Sequence, residues 1–138
     1  GGSAVTKEKP ISLPMGSETI LFVEDEPMLR SKGRVFLERL GYTVILAGDG
    51  EEALTIYKDK KDQIAAVITD MTMPKLPGRD IIKKILEVNP SAKIILASGF
   101  TSEGSSKELI QAGAKAYISK PYCINPLADT LRRVLDAH

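Results

Sequence analysis

One short stretch, Ile64–Gly78, limits the folds open to this chain more than any other. It reads I-A-A-V-I-T-D-M-T-M-P-K-L-P-G, an apolar run that ends on a single carboxylate, Asp70, before a loop with two prolines and a glycine. Ala65–Thr69 has no polar alternation, which predicts a strand covered on both faces, as in parallel sheets. The prolines forbid a helix there, so Asp70 is expected at the mouth of the strand, outside any regular element.

Four further apolar runs of strand length alternate with segments of helical periodicity. Pro27 marks the first position of a helix that ends before Gly41, and Asn125 followed by Pro126 predicts the cap and first position of the last helix. The predicted strands are Thr19–Val23, Thr43–Ala47, Ala65–Thr69, Lys93–Ala97 and Ala116–Ser119. Between the first and the last helix, three further helices are predicted at Glu51–Lys60, Arg79–Val88 and Ser105–Ala112.

This strict alternation predicts a single α/β domain. Short loops and right-handed crossovers lead to a parallel sheet with helices on both faces. The expected fold is doubly wound and flavodoxin-like, with five helices and with the five strands taken in the order 2-1-3-4-5, one of the common doubly wound orders. A chain of 138 residues is long enough to bury a real core in one domain. Residues 1–17, which begin with Gly-Gly-Ser and show no periodicity, are interpreted as a tag remnant and linker, and residues 18–138 as the domain.

Charge and composition exclude several classes of function. Lysine and arginine number 19 against 18 aspartates and glutamates, so the chain has no global field for direct binding to nucleic acid or to an anionic membrane. A lone cysteine, Cys123, excludes an internal disulfide and is typical of a reducing compartment. No apolar run approaches the roughly 20 residues of a membrane helix. The sequence therefore predicts a small cytoplasmic domain.

Polar residues follow the predicted strands at the edge where ligands bind in open α/β sheets. In the predicted strand order, Glu24, Asp25 and Asp70 meet in one crevice, where they repel one another unless a cation joins them. Oxygen ligands select a hard cation, Mg²⁺ before Zn²⁺. Lys120 and Ser98, after the flanking strands, can face a phosphoryl group. Asp70 is then a credible nucleophile toward phosphorus.

Each of these residues also has a plainer interpretation. An aspartate at a strand end before a Pro-Gly loop is often only a turn residue, and acids such as Glu26 favour a helix N-terminus through its dipole. An aspartate-nucleophile phosphatase would carry a second acid at position 72, where Thr72 stands, and a flavodoxin-like carrier would need a phosphate loop where this chain has acids. The acidic trio together with Lys120 favours a phosphoryl-accepting site.

From Ser17 onward the chain resembles the CheY-like receiver domains of two-component response regulators. Several motifs carry this resemblance, each at a predicted strand end or the helix start after it. They are I-L-F-V-E-D-E-P at 20–27, D-G-E-E-A-L at 49–54, D-M-T-M-P-K-L-P-G at 70–78, A-S-G at 97–99 and A-Y-I-S-K-P at 116–121.

The resemblance implies a role for each matched position. Asp70 would accept the phosphoryl group, and Asp25 would bind Mg²⁺ directly, with Asp70 and the backbone carbonyl of Thr72 as further ligands and Glu24 acting through water. Lys120 would pair with the phosphoryl group. Glu24 departs mildly from the family, which more often has aspartate there.

Two further residues are implied to transmit the signal. Ser98 would turn toward the phosphoryl group and Tyr117 would move inward behind it, rearranging the face made by the fourth helix, fifth strand and fifth helix. The phosphoryl donor would be a sensor histidine kinase or a histidine phosphotransfer domain, and an effector protein or domain would read the change. The isolated domain would be a self-phosphorylating switch and no metabolic enzyme. It would be either a single-domain regulator or a piece of a larger protein, and the similarity of its opening to receivers fused to hybrid sensor histidine kinases favours the second. The alternative is a pseudo-receiver that binds partners without phosphorylation.

Overall fold

The computed structural model describes residues 14–70, 78–98, 113–120 and 122–137. Within these ranges the chain forms five strands and four helices in alternation. The strands are β1 (Thr19–Val23), β2 (Thr43–Ala47), β3 (Ile64–Asp70), β4 (Ile94–Ser98) and β5 (Ala116–Ser119). The helices are α1 (Pro27–Arg39), α2 (Gly50–Lys60), α3 (Gly78–Val88) and the C-terminal helix (Ile124–Asp136).

The strands form one parallel sheet in the order β2-β1-β3-β4-β5. This confirms both the predicted fold class and the predicted strand order 2-1-3-4-5. The fourth predicted helix, Ser105–Ala112, lies outside the described residues. Because β1 and β3 are neighbours at the centre of the sheet, the residues that follow them share one edge.

Helices cover both faces of the sheet, as the unbroken apolar strands require. In β1, Ile20 and Phe22 face a core completed by α1 and the C-terminal helix, whereas Leu21 and Val23 face a second core completed by α2 and α3. All four side chains are at most 1% exposed. The sheet therefore forms a rigid platform whose ends hold the polar residues.

The turn from α1 into β2 depends on a glycine. Gly41 has a φ of 100°, a left-handed conformation that glycine adopts without a steric penalty, and the carbonyl oxygen of Gly16 occupies the space that a Cβ would need. The sequence prediction of a helix ending before Gly41 is thereby confirmed.

Two predicted element boundaries near the carboxyl ends of the strands are wrong. Asp70 is the last residue of β3 because the ladder to β4 continues as far as the Asp70–Ala97 pair. The C-terminal helix begins at Ile124, so Asn125 is not its cap. Leu127 N donates to Cys123 O at 3.2 Å, which places Pro126 within the first turn, where its missing N–H would have no partner in the helix. Elsewhere the predicted and observed ends of the described elements differ by at most one residue.

Candidate functional site

The carboxyl edge of the sheet collects residues from three strands. Val23 pairs with Thr69 in the β1–β3 ladder, so Glu24 comes directly after β1 at the level where Asp70 ends β3. The backbone N–H of Glu24 donates to Ala47 O at 3.0 Å, which holds it as an extension of the ladder. Lys120 follows β5, on the far side of β4 from Asp70.

Glu24 is a fully buried carboxylate with 0% of its surface exposed. Its Oε1 lies 3.0 Å from the Lys120 Nζ and accepts a hydrogen bond of 2.9 Å from the Tyr122 hydroxyl. Its Oε2 accepts one of 3.1 Å from the backbone N–H of Glu26. A buried charge is tolerated only when it is paired and hydrogen-bonded, and both conditions are met here.

Lys120 joins the carboxylates of two neighbouring strands. Its ammonium lies 2.8 Å from Asp70 Oδ2 and 3.0 Å from Glu24 Oε1. Burial alone lowers the pKa of Lys120, but hydrogen bonds to Asp70 and Glu24 outweigh that effect and raise the pKa above its usual 10.5. The lysine is therefore a fixed positive charge against Asp70 throughout the physiological pH range.

Asp25 is the exposed member of the acidic group. One carboxylate oxygen from each of Glu24, Asp25 and Asp70 lies within 4.8 Å of the others, with Asp25 facing solvent and the other two buried. A set of three carboxylate oxygens without nitrogen or sulfur suits a hard cation. These residues therefore fit Mg²⁺, which would enter from the side of Asp25.

The third acid of the run has a different role. Glu26 is the N-cap of α1, where its carboxylate accepts from the backbone N–H groups of Met28 at 3.1 Å and Leu29 at 3.3 Å. This agrees with the interpretation of Glu26 as a helix N-terminal acid. Arg30, one turn into α1, donates from Nη1 to Glu24 O at 2.8 Å and ties the helix to the end of β1.

The structure describes only some of the other predicted site residues. Ser98 ends β4 and pairs in register with Ser119, which places its backbone at the functional edge, and its side chain lies outside the described part. Thr72 lies outside the described residues altogether. Tyr117 is half-buried in β5, and its buried hydroxyl has no hydrogen-bond partner in the described part of the chain.

Tyr122 is the site residue that the sequence reasoning missed. It is 1% exposed and donates to Glu24. Burial, followed by the nearby charge of Glu24, raises the pKa of the Tyr122 hydroxyl far above its usual 10.0, so the group remains a protonated donor. The available signal was a tyrosine two residues after the predicted lysine. From the sequence alone, however, this tyrosine could equally well be an ordinary aromatic residue of the core.

Comparison with known proteins agrees with this geometry. The family model described as "Response regulator receiver domain" matches residues 20–132, which is most of the chain. The chain belongs to that family. The receiver fold of two-component systems therefore frames the acidic pocket described above.

The chain matches nearly the whole length of some relatives and only a small part of others. The chain is 36% identical over 116 residues to chemotaxis protein CheY of Thermotoga maritima, covering 83% of this chain and 95% of that protein. It is 31% identical over 121 residues to sensor kinase CckA of Brucella abortus, where the match covers 88% of this chain and only 13% of the kinase. Both single-domain proteins and much longer proteins are thus similar to this chain.

Solved structures share the fold. A response regulator receiver domain from Clostridium thermocellum has a TM-score of 0.82 at 29% identity, covering 86% of this chain and 94% of that one. The receiver domain of sensor histidine kinase PA1611 from Pseudomonas aeruginosa has a TM-score of 0.79 at 27% identity, covering 88% and 100%. That second structure has a magnesium ion coordinated in its active-site cleft.

The helices that the structure describes are short and amphipathic. None of them is both long enough and apolar enough to cross a membrane.

Proposed function

We propose that this chain is a phosphoacceptor switch in a two-component phosphorelay. Asp70 accepts a phosphoryl group from a phosphohistidine on a sensor histidine kinase or a histidine phosphotransfer domain, with Mg²⁺ bound. One observation carries this proposal: the Lys120 ammonium lies 2.8 Å from Asp70 at a sheet edge where Asp25 is exposed to solvent. A nucleophile, a positive charge and an accessible cation ligand stand together.

The transfer needs little covalent help from the protein. A carboxylate oxygen of Asp70 attacks the phosphorus, the P–O bond forms as the P–N bond breaks, and the donor histidine leaves with the electron pair and takes up a proton. Lys120 provides positive charge beside the oxygens of the incoming group. Asp25 and Asp70 would hold the Mg²⁺, with the Thr72 carbonyl as a further ligand and Glu24 acting through water. When bound, the ion would supply positive charge to neutralise the phosphoryl oxygens.

Signalling follows from the charge of about −2 that the phosphoryl group adds. Ser98 turns toward this group and Tyr117 moves inward, which changes the face formed by β5, the C-terminal helix and the segment before β5. Two features of Tyr117 support this role. Its buried hydroxyl has no partner in the described part of the chain, and Tyr117 lines a cavity of about 290 Å³ together with Leu127 and Thr130 of the C-terminal helix. An effector protein or domain reads the altered face.

The proposed context is a cytoplasmic signalling pathway. The isolated domain acts as a switch that catalyses its own phosphorylation and dephosphorylation, and it turns over no metabolite. Similarity to one part of a sensor kinase favours a hybrid histidine kinase as the parent, with residues 1–17 as tag remnant and linker before a domain at residues 18–138. Near-neutral charge argues against direct contact with nucleic acid or a membrane.

Intact mass spectrometry tests the phosphorylation directly. Wild type incubated with acetyl phosphate and Mg²⁺ should gain one phosphoryl group, and the gain should disappear with EDTA or in Asp70→Asn. Glu26→Gln is a matched control, because it alters an acid of the same run that caps α1, and it should gain the group normally. An adduct on the Asp70→Asn chain would contradict Asp70 as acceptor. No adduct on wild type, with acetyl phosphate or with a phosphorylated kinase, would indicate a pseudo-receiver instead.

A further inference from the structure

Tyr122 places a hydrogen-bond donor in the core directly behind the candidate phosphorylation site. Its side chain is 1% exposed, and its ring lies edge-on to Phe22 with the two centroids 5.2 Å apart. This contact fixes the ring on the sheet. Its hydroxyl donates to Glu24 Oε1 at 2.9 Å. A tyrosine buried this deeply must satisfy its hydroxyl, and Glu24 does so.

The acceptor positions of Glu24 are almost fully used. Oε1 accepts from Tyr122 at 2.9 Å and lies 3.0 Å from Lys120 Nζ, whereas Oε2 accepts from the backbone of Glu26 at 3.1 Å and from Lys120 at 3.3 Å. A carboxylate offers about four lone-pair sites, so these contacts leave it one orientation. The Tyr122 hydroxyl and the Glu26 N–H hold the two oxygens, and Lys120 is held against both.

We propose that Tyr122 is a positioning residue for phosphorylation: acting through Glu24, it holds the Lys120 ammonium against Asp70. The inference rests on the proposed phosphoacceptor function and adds to it a residue that touches neither the phosphoryl group nor the metal. It also makes Tyr122 the partner of a glutamate specifically.

The length of the side chain at position 24 explains that preference. The backbone of Glu24 is fixed by its hydrogen bond to Ala47 O, so an aspartate there would withdraw its carboxylate by roughly one C–C bond, about 1.5 Å. A hydrogen bond of 2.9 Å does not survive such a withdrawal. Tyr122 would then keep a buried hydroxyl without an acceptor. Glutamate at 24 and tyrosine at 122 therefore form a matched pair.

A double-mutant cycle tests this coupling. The rate of Asp70 phosphorylation by acetyl phosphate with Mg²⁺ is measured in wild type, Tyr122→Phe, Glu24→Asp and the double variant. Losing a buried hydrogen bond to a charged group should slow the reaction about tenfold in Tyr122→Phe. In the Glu24→Asp background the same change should alter the rate less than about twofold, since the bond is already absent there.

Tyr57→Phe is the matched control. Tyr57 is also buried, at 2% exposed, and its hydroxyl accepts from Asn89 Nδ2 at 3.0 Å in the core on the opposite face of the sheet. The substitution removes the same atom from a comparable environment, and the phosphorylation rate should stay unchanged. An equal slowing in Tyr57→Phe, or equal factors for Tyr122→Phe in both backgrounds, would overturn the proposal.

A second measurement does not depend on phosphorylation. The ammonium protons of Lys120, observed by NMR through their ¹⁵N-labelled Nζ, should be protected from exchange with solvent in wild type and in Tyr57→Phe. They should lose that protection in Tyr122→Phe. If wild type accepts no phosphoryl group while this pattern holds, the proposed function fails and the positioning contact stands. If Tyr122→Phe leaves the Lys120 signal protected, the positioning role is refuted whatever the chain accepts.

Discussion

Strand β1 has a glutamate at each end, and the two carboxylates stand in different surroundings. Glu18 precedes the strand and pairs with Arg132 of the C-terminal helix at 2.8 Å, with 33% of its side chain exposed. Glu24 follows the strand and pairs with Lys120 at 3.0 Å, with none of its side chain exposed. The same residue type, flanking one strand, thus takes part in a partly exposed ion pair at one edge of the sheet and a buried pair at the other.

At the amino edge the cations organise the chain ends. Arg132 contacts both oxygens of Glu18, at 3.1 and 2.8 Å, and also reaches Asp136 at 2.8 Å and the carbonyl of Met15 at 3.0 Å. Lys93, just before β4, donates to two carbonyls at the end of the C-terminal helix, each at 2.9 Å. Cations at a helix C-terminus offset its dipole. This edge fixes the incoming chain and the last helix in place.

At the carboxyl edge the carboxylates outnumber the cation. Glu24, Asp25 and Asp70 converge there, and Lys120 is the ammonium that pairs with two of them in the described part of the chain. Burying these charges costs desolvation free energy. The contrast teaches that the amino edge is a structural contact, whereas the carboxyl edge gathers three carboxylates around one lysine in the described part of the chain, an arrangement that suits the proposed Mg²⁺.

Removing the cation from each edge should give the largest difference in stability between the two edges. Lys120→Met leaves the buried Glu24 carboxylate without a counter-charge and should lower the free energy of unfolding by about 3–5 kcal/mol. Arg132→Met breaks partly exposed pairs and should cost about 1 kcal/mol. Urea denaturation of both variants without divalent cations measures the difference. Equal losses would mean that burial does not distinguish the edges.

Added Mg²⁺ should stabilise the fold through the carboxyl edge alone. At a concentration one hundred times its dissociation constant, a ligand that binds only the folded state adds about 2.7 kcal/mol to the free energy of unfolding. Thermal unfolding with and without Mg²⁺ measures this gain. Asp25→Asn should remove it, and Glu18→Gln should leave it intact. Persistence of the gain in Asp25→Asn would contradict Asp25 as a ligand.

Lowering the pH should weaken the Glu18–Arg132 pair at the amino edge, with a smaller effect on the free energy of unfolding. The hydrogen bond from Arg132 lowers the pKa of Glu18 from 4.5 to about 2. Because the folded pKa is depressed, the pair stabilises the fold fully above the unfolded pKa and loses that effect as the pH falls toward the folded value. Glu18→Gln should therefore be less stable than wild type at neutral pH by at most about 1 kcal/mol, with the gap closing on acidification. Urea midpoints along a pH series measure it, and a gap independent of pH would contradict the pairing.

Local sequence patterns predicted the sheet and the convergence of three carboxylates at its carboxyl edge. Unbroken apolar runs predicted β1, β2 and β5 to the residue, and strict alternation of strands and helices predicted a parallel sheet. The order 2-1-3-4-5 was one of the doubly wound orders that this alternation permits. Strand order in turn placed Glu24, Asp25 and Asp70 together. These successes share one cause: each depends on residues near one another in sequence or on a general rule of topology.

Contacts between distant residues were beyond the sequence. Tyr122 meets Glu24 across 98 positions and Arg132 meets Glu18 across 114, and no local pattern distinguishes these side chains from an ordinary core tyrosine or surface arginine. The start of the C-terminal helix was misplaced for a different reason. Asn125 and Pro126 are favourable at a cap and a first position, but proline is tolerated anywhere in the first turn, and the helix begins at Ile124.

Mapping the phosphoryl group to a residue tests the central claim most directly. After incubation with acetyl phosphate and Mg²⁺, borohydride reduces an aspartyl phosphate to homoserine, and peptide sequencing by mass spectrometry locates it. The account predicts homoserine at position 70, and unmodified aspartate at position 25 of the same molecules. Conversion at Asp25, or at any other carboxylate in place of Asp70, would contradict the assignment of the carboxyl edge as a site where Asp70 accepts and its neighbours assist.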